Sequence, residues 1–110
     1  MREVEIMRAI QLALGARRDV RVWRSNTGVG RALTDPSSVV AFGLPGAADL
    51  SGIVSPSGRR LEVEVKSATG RLSPVQRAFG EMVQRFGGIY IVARSVEQAI
   101  AELELALGGR

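Results

Sequence analysis

A chain of 110 residues that is 45% hydrophobic has room for one core, which predicts a single domain over residues 1–110. It contains no cysteine and no histidine, which excludes disulfides, zinc–thiolate sites, cysteine nucleophiles and Ser-His-Asp triads. The net charge of +4 favours a polyanionic partner. No apolar run approaches ~18 residues and no secretory leader is visible, so we expect a cytoplasmic protein with no membrane partner.

The first predicted element is a helix over residues 2–15. Its apolar residues recur on one face, and they are Ile6, Met7, Ile10 and Leu14. At about 100° per residue, Glu3 shares this face and Glu5 points the opposite way. Glu3 therefore either has a partner near the core or simply suits the dipole of the first helical turn.

Residues 20–24 alternate apolar and polar side chains, as a half-buried strand does. The following segment, residues 25–45, is rich in glycine, serine, proline and aspartate and is predicted to be irregular. Long loops in compact domains are often functional, although a solvated connector is the alternative.

Residues 48–54 and 59–67 are predicted to form two strands of a hairpin, joined by a turn at 55–58. In the second strand Leu61, Val63 and Val65 alternate with polar residues on the other side. Those polar residues are Glu62, Glu64 and Lys66, the only lysine of the chain. Such alternation predicts that the polar side faces solvent.

The C-terminal part predicts helix, strand and helix. Ser73, Pro74 and Gln76 are typical of a helix start with a capping box. The apolar stripe of this helix is Val75, Phe79, Met82, Val83 and Phe86. Residues 89–93 are uniformly apolar, and a helix begins after Ser95, with Ile100, Leu103 and Leu107 inside. The order α-β-β-β-α-β-α predicts an α/β fold whose central mixed β-sheet is flanked by helices.

The hairpin brings Asp49 and Glu64 within plausible reach of one hard divalent cation, to which the carbonyl of Val65 could add an oxygen. Lys66, on the same side as Glu64, could orient or activate a water and stabilise developing negative charge. Glu3 would add an outer carboxylate. This constellation suits phosphodiester hydrolysis; the alternative is a cross-strand ion pair on a solvated face, worth ~0–1 kcal/mol.

Four segments together resemble the VRR-NUC branch of the PD-(D/E)XK nuclease superfamily: GLPGAADL (43–50), LEVEVKS (61–67), GRLSPVQR (70–77) and GGIYIV (87–92). The resemblance implies a restriction-endonuclease-like core that binds Mg²⁺, with Mn²⁺ as a substitute. It implies metal ligands at Asp49 and Glu64, a catalytic lysine at Lys66 and a site glutamine at Gln76. Its N-terminal acidic residue would be Glu3, with Glu5 as the alternative. Ala48 departs from the superfamily's proline.

Small stand-alone members of this family, often from phages, resemble Holliday junction resolvases and act as homodimers. The resemblance therefore implies a nuclease for branched DNA in a bacterial or phage-infected cell. The predicted DNA contacts flank the site in sequence and are Arg24, Asn26, Arg31, Arg71, Ser73 and Arg77. A flap, nicking or restriction-type nuclease and a non-catalytic nucleic-acid-binding module are the alternatives.

Overall fold

A computed structural model describes residues 1–25, 28–31, 39–42 and 44–108. The helices in these ranges are α1 (Glu3–Gly15), α2 (Pro74–Arg85) and α3 (Val96–Leu107). The strands are β1 (Val20–Arg24), β2 (Gly28–Arg31), β3 (Val39–Phe42), β4 (Leu50–Val54), β5 (Arg59–Val65) and β6 (Ile89–Ala93). None of these helices is long and apolar enough to cross a bilayer.

Four strands form one mixed sheet in the order β1-β4-β5-β6. The pairs β1–β4 and β4–β5 are antiparallel, and β5–β6 is parallel. A parallel pair needs a crossover, and α2 provides it between β5 and β6. The predicted α/β fold and its element order are confirmed for this sheet and the three helices.

The segment predicted to be irregular contains two strands, so that prediction was wrong in part. β2 and β3 pair antiparallel, from Gly28 opposite Phe42 to Arg31 opposite Val39. Glycine is depleted in strands, and the two glycines of β2 therefore made this stretch look like a loop. The hairpin strands are also shorter than predicted, since β4 begins at Leu50 and β5 ends at Val65.

The larger apolar cluster lies between one face of the sheet and the helices α1 and α3. Its fully buried members include Ile10, Leu50, Leu61, Val63 and Leu103. All four predicted inner residues of α1 are buried. This side of the sheet is therefore covered by the two helices.

The opposite face of β5 is also buried, which corrects the predicted solvent-facing side. Glu62 is 0% exposed and Glu64 is 3% exposed. β5 lies between β4 and β6, and α2 packs over β5 and β6. Strand alternation distinguishes the two faces, but only the covering elements decide whether a face meets water.

A smaller apolar cluster under α2 consists of Ala48, Phe79 and Val83, with Tyr90 packed against it. Gly80 lets Tyr90 approach, because a Cβ there would lie 2.4 Å from the Tyr90 ring. Two residues of the predicted apolar stripe are not part of it: Val75 is 49% and Phe86 is 80% exposed.

Candidate active site

Asp49 lies just before β4, beside the carboxyl end of β5. The β4–β5 register pairs Leu50 with Val63, and one further step places Asp49 opposite Glu64. The Oδ2 atom of Asp49 accepts a hydrogen bond from the Val65 amide at 2.8 Å. Its backbone carbonyl accepts one from the Ser25 amide at 2.9 Å. Asp49 is therefore held by backbone groups, while its side chain stays exposed.

Glu64 is the buried carboxylate of the site. Its Oε2 atom accepts a hydrogen bond from Gln76 Nε2 at 3.1 Å and lies 3.6 Å from Lys66 Nζ. Its Oε1 atom is buried and accepts no hydrogen bond from any described residue. Burial, and then the charge of Asp49, raise the pKa of Glu64 to about 7 despite the opposing effect of Lys66. The negative charge at this position is thus incompletely compensated.

Gln76 serves the start of α2 and the site together. Its backbone amide donates to Ser73 Oγ at 3.2 Å, and its Oε1 accepts from the Ser73 amide at 2.9 Å. This capping box leaves the Nε2 group free to donate to Glu64. A local helix-start pattern therefore fixes the side chain that orients a buried carboxylate.

Lys66 and Glu3 approach each other around the turn that follows β5. The Lys66 side chain is only 12% exposed. Glu3 Oε2 accepts a hydrogen bond from the Ser67 amide at 3.3 Å, and Arg94 donates to the Ser67 carbonyl. A Cβ on Gly70 would lie 3.2 Å from Glu3 Oε2 and 3.4 Å from Lys66 Cδ. The turn therefore packs α1 against the lysine end of the site.

Glu5, the alternative acidic residue, points elsewhere. Its Oε1 accepts hydrogen bonds from the backbone amide of Arg2 at 3.1 Å and from the Arg2 guanidinium at 3.4 Å. Both side chains are largely exposed, so this pair contributes little stability. Of the two candidates, Glu3 is the one in contact with the turn after β5.

A family model, the VRR-NUC domain, matches residues 40–97, just over half of the chain. The chain belongs to the VRR-NUC family. The matched range contains Asp49, Glu64, Lys66 and Gln76. VRR-NUC domains are nuclease domains of the PD-(D/E)XK type, which implies a nuclease with DNA as its partner. No curated protein matches the chain.

Nucleases of this family typically use a divalent metal, and the donors of this VRR-NUC domain fit one. The carboxylates of Asp49 and Glu64 are oxygen donors, and one of the Glu64 oxygens has no hydrogen-bond partner among the residues that the structure describes. Within a strand, the N–H and C=O of one residue point to the same edge, so the Val65 carbonyl faces the side on which its amide meets Asp49. Oxygen donors of this kind are those that Mg²⁺ prefers. The described residues contain no cluster of three acidic, histidine or cysteine side chains able to hold a metal.

The predicted DNA-contacting residues of the VRR-NUC domain fall into two groups. Arg24, Arg71, Ser73 and Arg77 are exposed, the last three around the start of α2. Arg31 ends β2, but its side chain lies outside the described part of the structure, and Asn26 lies outside the described residues. Arg71, Ser73 and Arg77 lie within five residues of Gln76 in the chain, whereas Arg24 ends β1 opposite Leu50.

Sequence reasoning missed a second polar group beside the site. Ser51 Oγ donates to Glu62 Oε1 at 3.0 Å, and Arg60 Nε donates to Glu62 Oε2 at 2.7 Å. Arg94, which holds the turn at Ser67, was also missed. The Ser51–Glu62 and Arg94–Ser67 contacts join residues that are distant in sequence, so no spacing pattern marks them. Arg60 and Glu62 lie two residues apart on β5, and alternation places them only on the same face.

Proposed function

We propose that this VRR-NUC domain, spanning residues 1–110, is a Mg²⁺- or Mn²⁺-dependent endodeoxyribonuclease that cleaves branched DNA. The observation that carries the proposal is the Glu64 carboxylate. It is buried beside Asp49 and Lys66, and its Oε1 atom accepts no hydrogen bond from the described residues. A buried carboxylate oxygen without a partner is costly unless something binds it, and a hard cation is the ligand that its chemistry suits.

In this proposal Asp49, Glu64 and the Val65 carbonyl hold the cation. When bound, the cation would neutralise phosphate charge and help to lower the pKa of the attacking water. Lys66 would orient that water and stabilise charge developing on the phosphate, since its ammonium is a compact point charge 3.6 Å from Glu64 Oε2. Gln76 would act through Glu64 by keeping its Oε2 in place.

We assign the N-terminal acidic role to Glu3 rather than Glu5. The support is its contact with the Ser67 amide, one residue after Lys66. Substitution of Glu3 by Gln should slow cleavage by about tenfold, as expected for a group that positions a catalytic turn. Glu5→Gln is the matched control, because Glu5 contacts only Arg2 among the hydrogen bonds above. An equal effect of the two substitutions would contradict this assignment.

The proposed substrate is the four-way junction, cut by a homodimer in the cytoplasm of a bacterial or phage-infected cell. Two identical sites related by a two-fold axis can cut opposing strands. Exposed apolar side chains support self-association: Phe86 is 80% and Leu44 is 59% exposed beside a groove of about 210 Å³ that Met82 also lines. Phosphate contacts would come from the predicted set, Arg24, Asn26, Arg31, Arg71, Ser73 and Arg77.

The decisive experiment incubates the protein with labelled four-way junction, flap and linear duplex in Mg²⁺, Mn²⁺ or EDTA. Symmetric junction cutting that is lost in EDTA and in Glu64→Ala and Lys66→Ala would support the proposal. Cleavage confined to flaps or duplex would point to a flap, nicking or restriction-type enzyme. Metal-independent binding without cleavage of any substrate would make the protein a non-catalytic binding module.

Self-association is measured separately by light scattering. We expect the mass of a dimer for the natural chain and a shift toward monomer for Phe86→Glu, which places a charge in the exposed apolar surface. Leu105→Glu, a change at an equally exposed leucine of α3, is the control. A monomeric mass for the natural chain at the concentrations used for cleavage would remove the homodimer from the proposal.

A further inference from the structure

Trp23 is an exposed aromatic side chain on the face of the sheet that carries the acidic residues. It lies on β1 opposite Ser51, which in turn is opposite Glu62. Asp49 is two residues before Ser51, so it shares the same face. Diagonal neighbours of this kind lie roughly 7–8 Å apart, within reach of an aromatic side chain. Trp23 is therefore a near neighbour of the proposed metal ligand Asp49.

The indole is not required by the core. It belongs to neither apolar cluster, and it remains 50% exposed. Tryptophan offers 150–250 Å² of burial, so leaving half of it in water forgoes stabilisation that a core position would provide. Ile53, further from Asp49 on the same face, is 46% exposed. Trp23 and Ile53 on the β1–β4 side of this face are thus about half exposed, whereas among the described elements α2 packs over β5 and β6.

The residues beside the indole on the sheet surface, Ser51 and Glu62, are polar and hydrogen-bonded to each other. Ser51, directly opposite Trp23, is 3% exposed and donates to Glu62, whose other oxygen accepts from Arg60. The Arg60 side chain is 65% exposed and lies opposite Ile53, and its charge is paired with Glu62. An exposed indole beside the proposed metal ligands is complementary to a nucleotide, whose base would stack on the ring while its phosphate meets the cation site.

We propose that Trp23 is a stacking platform for a nucleobase displaced from the helical stack next to the phosphate that is cut. The inference rests on the proposed nuclease function and narrows its substrate class to DNA with an unpaired or unstacked base at the cleavage point. Because Trp23 is a diagonal neighbour of Asp49, a base stacked on it would belong to a nucleotide close to the phosphate at the proposed site. A continuous duplex keeps its bases stacked on one another, so it would not use this surface.

The first test uses the fact that Trp23 is the only tryptophan of the chain, so fluorescence excited selectively at tryptophan, and not at Tyr90, reports on this side chain alone. Single-stranded oligothymidylate is titrated into the Glu64→Gln protein, and a blunt duplex of equal length is titrated in parallel. We expect strong quenching by oligothymidylate and little by the duplex. Unchanged fluorescence on bound oligothymidylate, with binding verified by anisotropy of a labelled strand, would overturn the inference.

The second test compares cleavage by Trp23→Leu, Trp23→Phe and the control Ile53→Ala. For a junction or flap with unpaired bases, Trp23→Leu should raise KM about tenfold with kcat little changed, because stacking contributes to binding. Trp23→Phe should recover part of the loss, and Ile53→Ala should match the natural chain. Equal loss on a fully paired nicked duplex would indicate a general structural effect and overturn the inference.

The outcomes separate this inference from the proposed function. If the natural chain cuts DNA and Trp23→Leu cuts every substrate equally well, stacking is wrong and the nuclease stands. If the natural chain cuts nothing, the nuclease proposal fails, and the fluorescence titration still decides whether Trp23 stacks on a base. If Trp23→Leu converts a dimer to a monomer by light scattering, the indole is a self-association contact and the inference is overturned.

Discussion

Glu62 and Glu64 stand two residues apart on β5, on one face of the sheet, and both are buried. The two oxygens of Glu62 have donors within the fold, namely Ser51 Oγ at 3.0 Å and Arg60 Nε at 2.7 Å. Glu64 has Gln76 and the more distant Lys66 at one oxygen and no described hydrogen-bond donor at the other. The two side chains are chemically identical, but both oxygens of Glu62 have hydrogen-bond donors, whereas Glu64 has a donor at only one oxygen among the described residues.

The difference separates a structural carboxylate from a functional one. Burying a carboxylate is costly, and hydrogen bonds with a paired cation offset that cost at Glu62. At Glu64 the compensation is partial, and burial raises the pKa to about 7. A cation that binds at Glu64 would supply the missing compensation. Because Glu62 and Glu64 are both buried, burial alone does not identify the site, and the missing hydrogen-bond donor does.

The largest expected effect is on catalysis, and it tests whether Glu62 and Glu64 differ in role. Glu64→Gln should reduce DNA cleavage on the order of 10³-fold, because a neutral amide supplies weaker cation binding and loses several kcal/mol of electrostatic stabilisation. Glu62→Gln, an equally buried isosteric change, should keep cleavage within about tenfold of the natural chain. Single-turnover cleavage in Mg²⁺ measures both; comparable losses would mean that the two glutamates do not differ in role.

The second prediction concerns pH. The folded pKa of Glu64, about 7, lies above its ordinary value of 4.5, so the native state binds more protons between these values. Stability should therefore decline as pH rises through this window, by on the order of 3 kcal/mol from this one group. Glu64→Gln should lack this decline.

Urea unfolding in EDTA at about pH 5 and about pH 8 measures this decline, as the difference in unfolding free energy between the natural chain and Glu64→Gln. The variant should be the more stable of the two at the higher pH. Adding Mg²⁺ should stabilise the natural chain preferentially there, because the carboxylate is then ionised and a ligand that binds only the folded state stabilises it. A variant less stable than the natural chain at the higher pH would contradict the assignment of an uncompensated charge.

The third prediction removes a hydrogen-bond donor from Glu62, so that one of its oxygens lacks a donor as Glu64 Oε1 does. Ser51→Ala removes the donor to Glu62 Oε1 and leaves a buried oxygen unpartnered, which should cost about 2 kcal/mol of unfolding free energy. Ser57→Ala, in the exposed turn where Oγ accepts from the Arg59 amide at 3.2 Å, is the control and should cost less than about 1 kcal/mol. Urea denaturation compares the two, and equal losses would show that the Ser51 contact is unimportant.

The smallest expected effect concerns Gln76, which joins the incomplete site to the start of α2. Gln76→Ala removes half of the capping box and the donor to Glu64, and should cost about 1 kcal/mol of stability and about tenfold in cleavage. Gln98→Ala is the control, since it removes a side-chain acceptor of the Arg94 amide at the start of α3 but no donor to Glu64. Loss of stability without any loss of cleavage would restrict Gln76 to a capping role.

Local patterns determined much of this protein. The buried face of α1, the caps at Ser73 and Ser95 and the apolar strand β6 follow from periodicity and from residues within one helical turn, which act over short distances. The four family segments likewise identified the nuclease family, since each is a short stretch of chain. Gln76 was open to two interpretations in the sequence, and its side chain makes both contacts.

Only the tertiary structure decided which polar residues are buried and which of them have partners. Alternation along β5 could not tell that α2 covers Glu62 and Glu64, because coverage depends on elements distant in sequence. Nor could it show that Ser51 and Arg60 satisfy one glutamate and leave the other with an open oxygen. The position of Trp23 beside Asp49 likewise arises from strand pairing. The order and pairing of the strands bring together side chains that are distant in sequence. The position of the site on the sheet therefore follows from that pairing and from no spacing in the sequence.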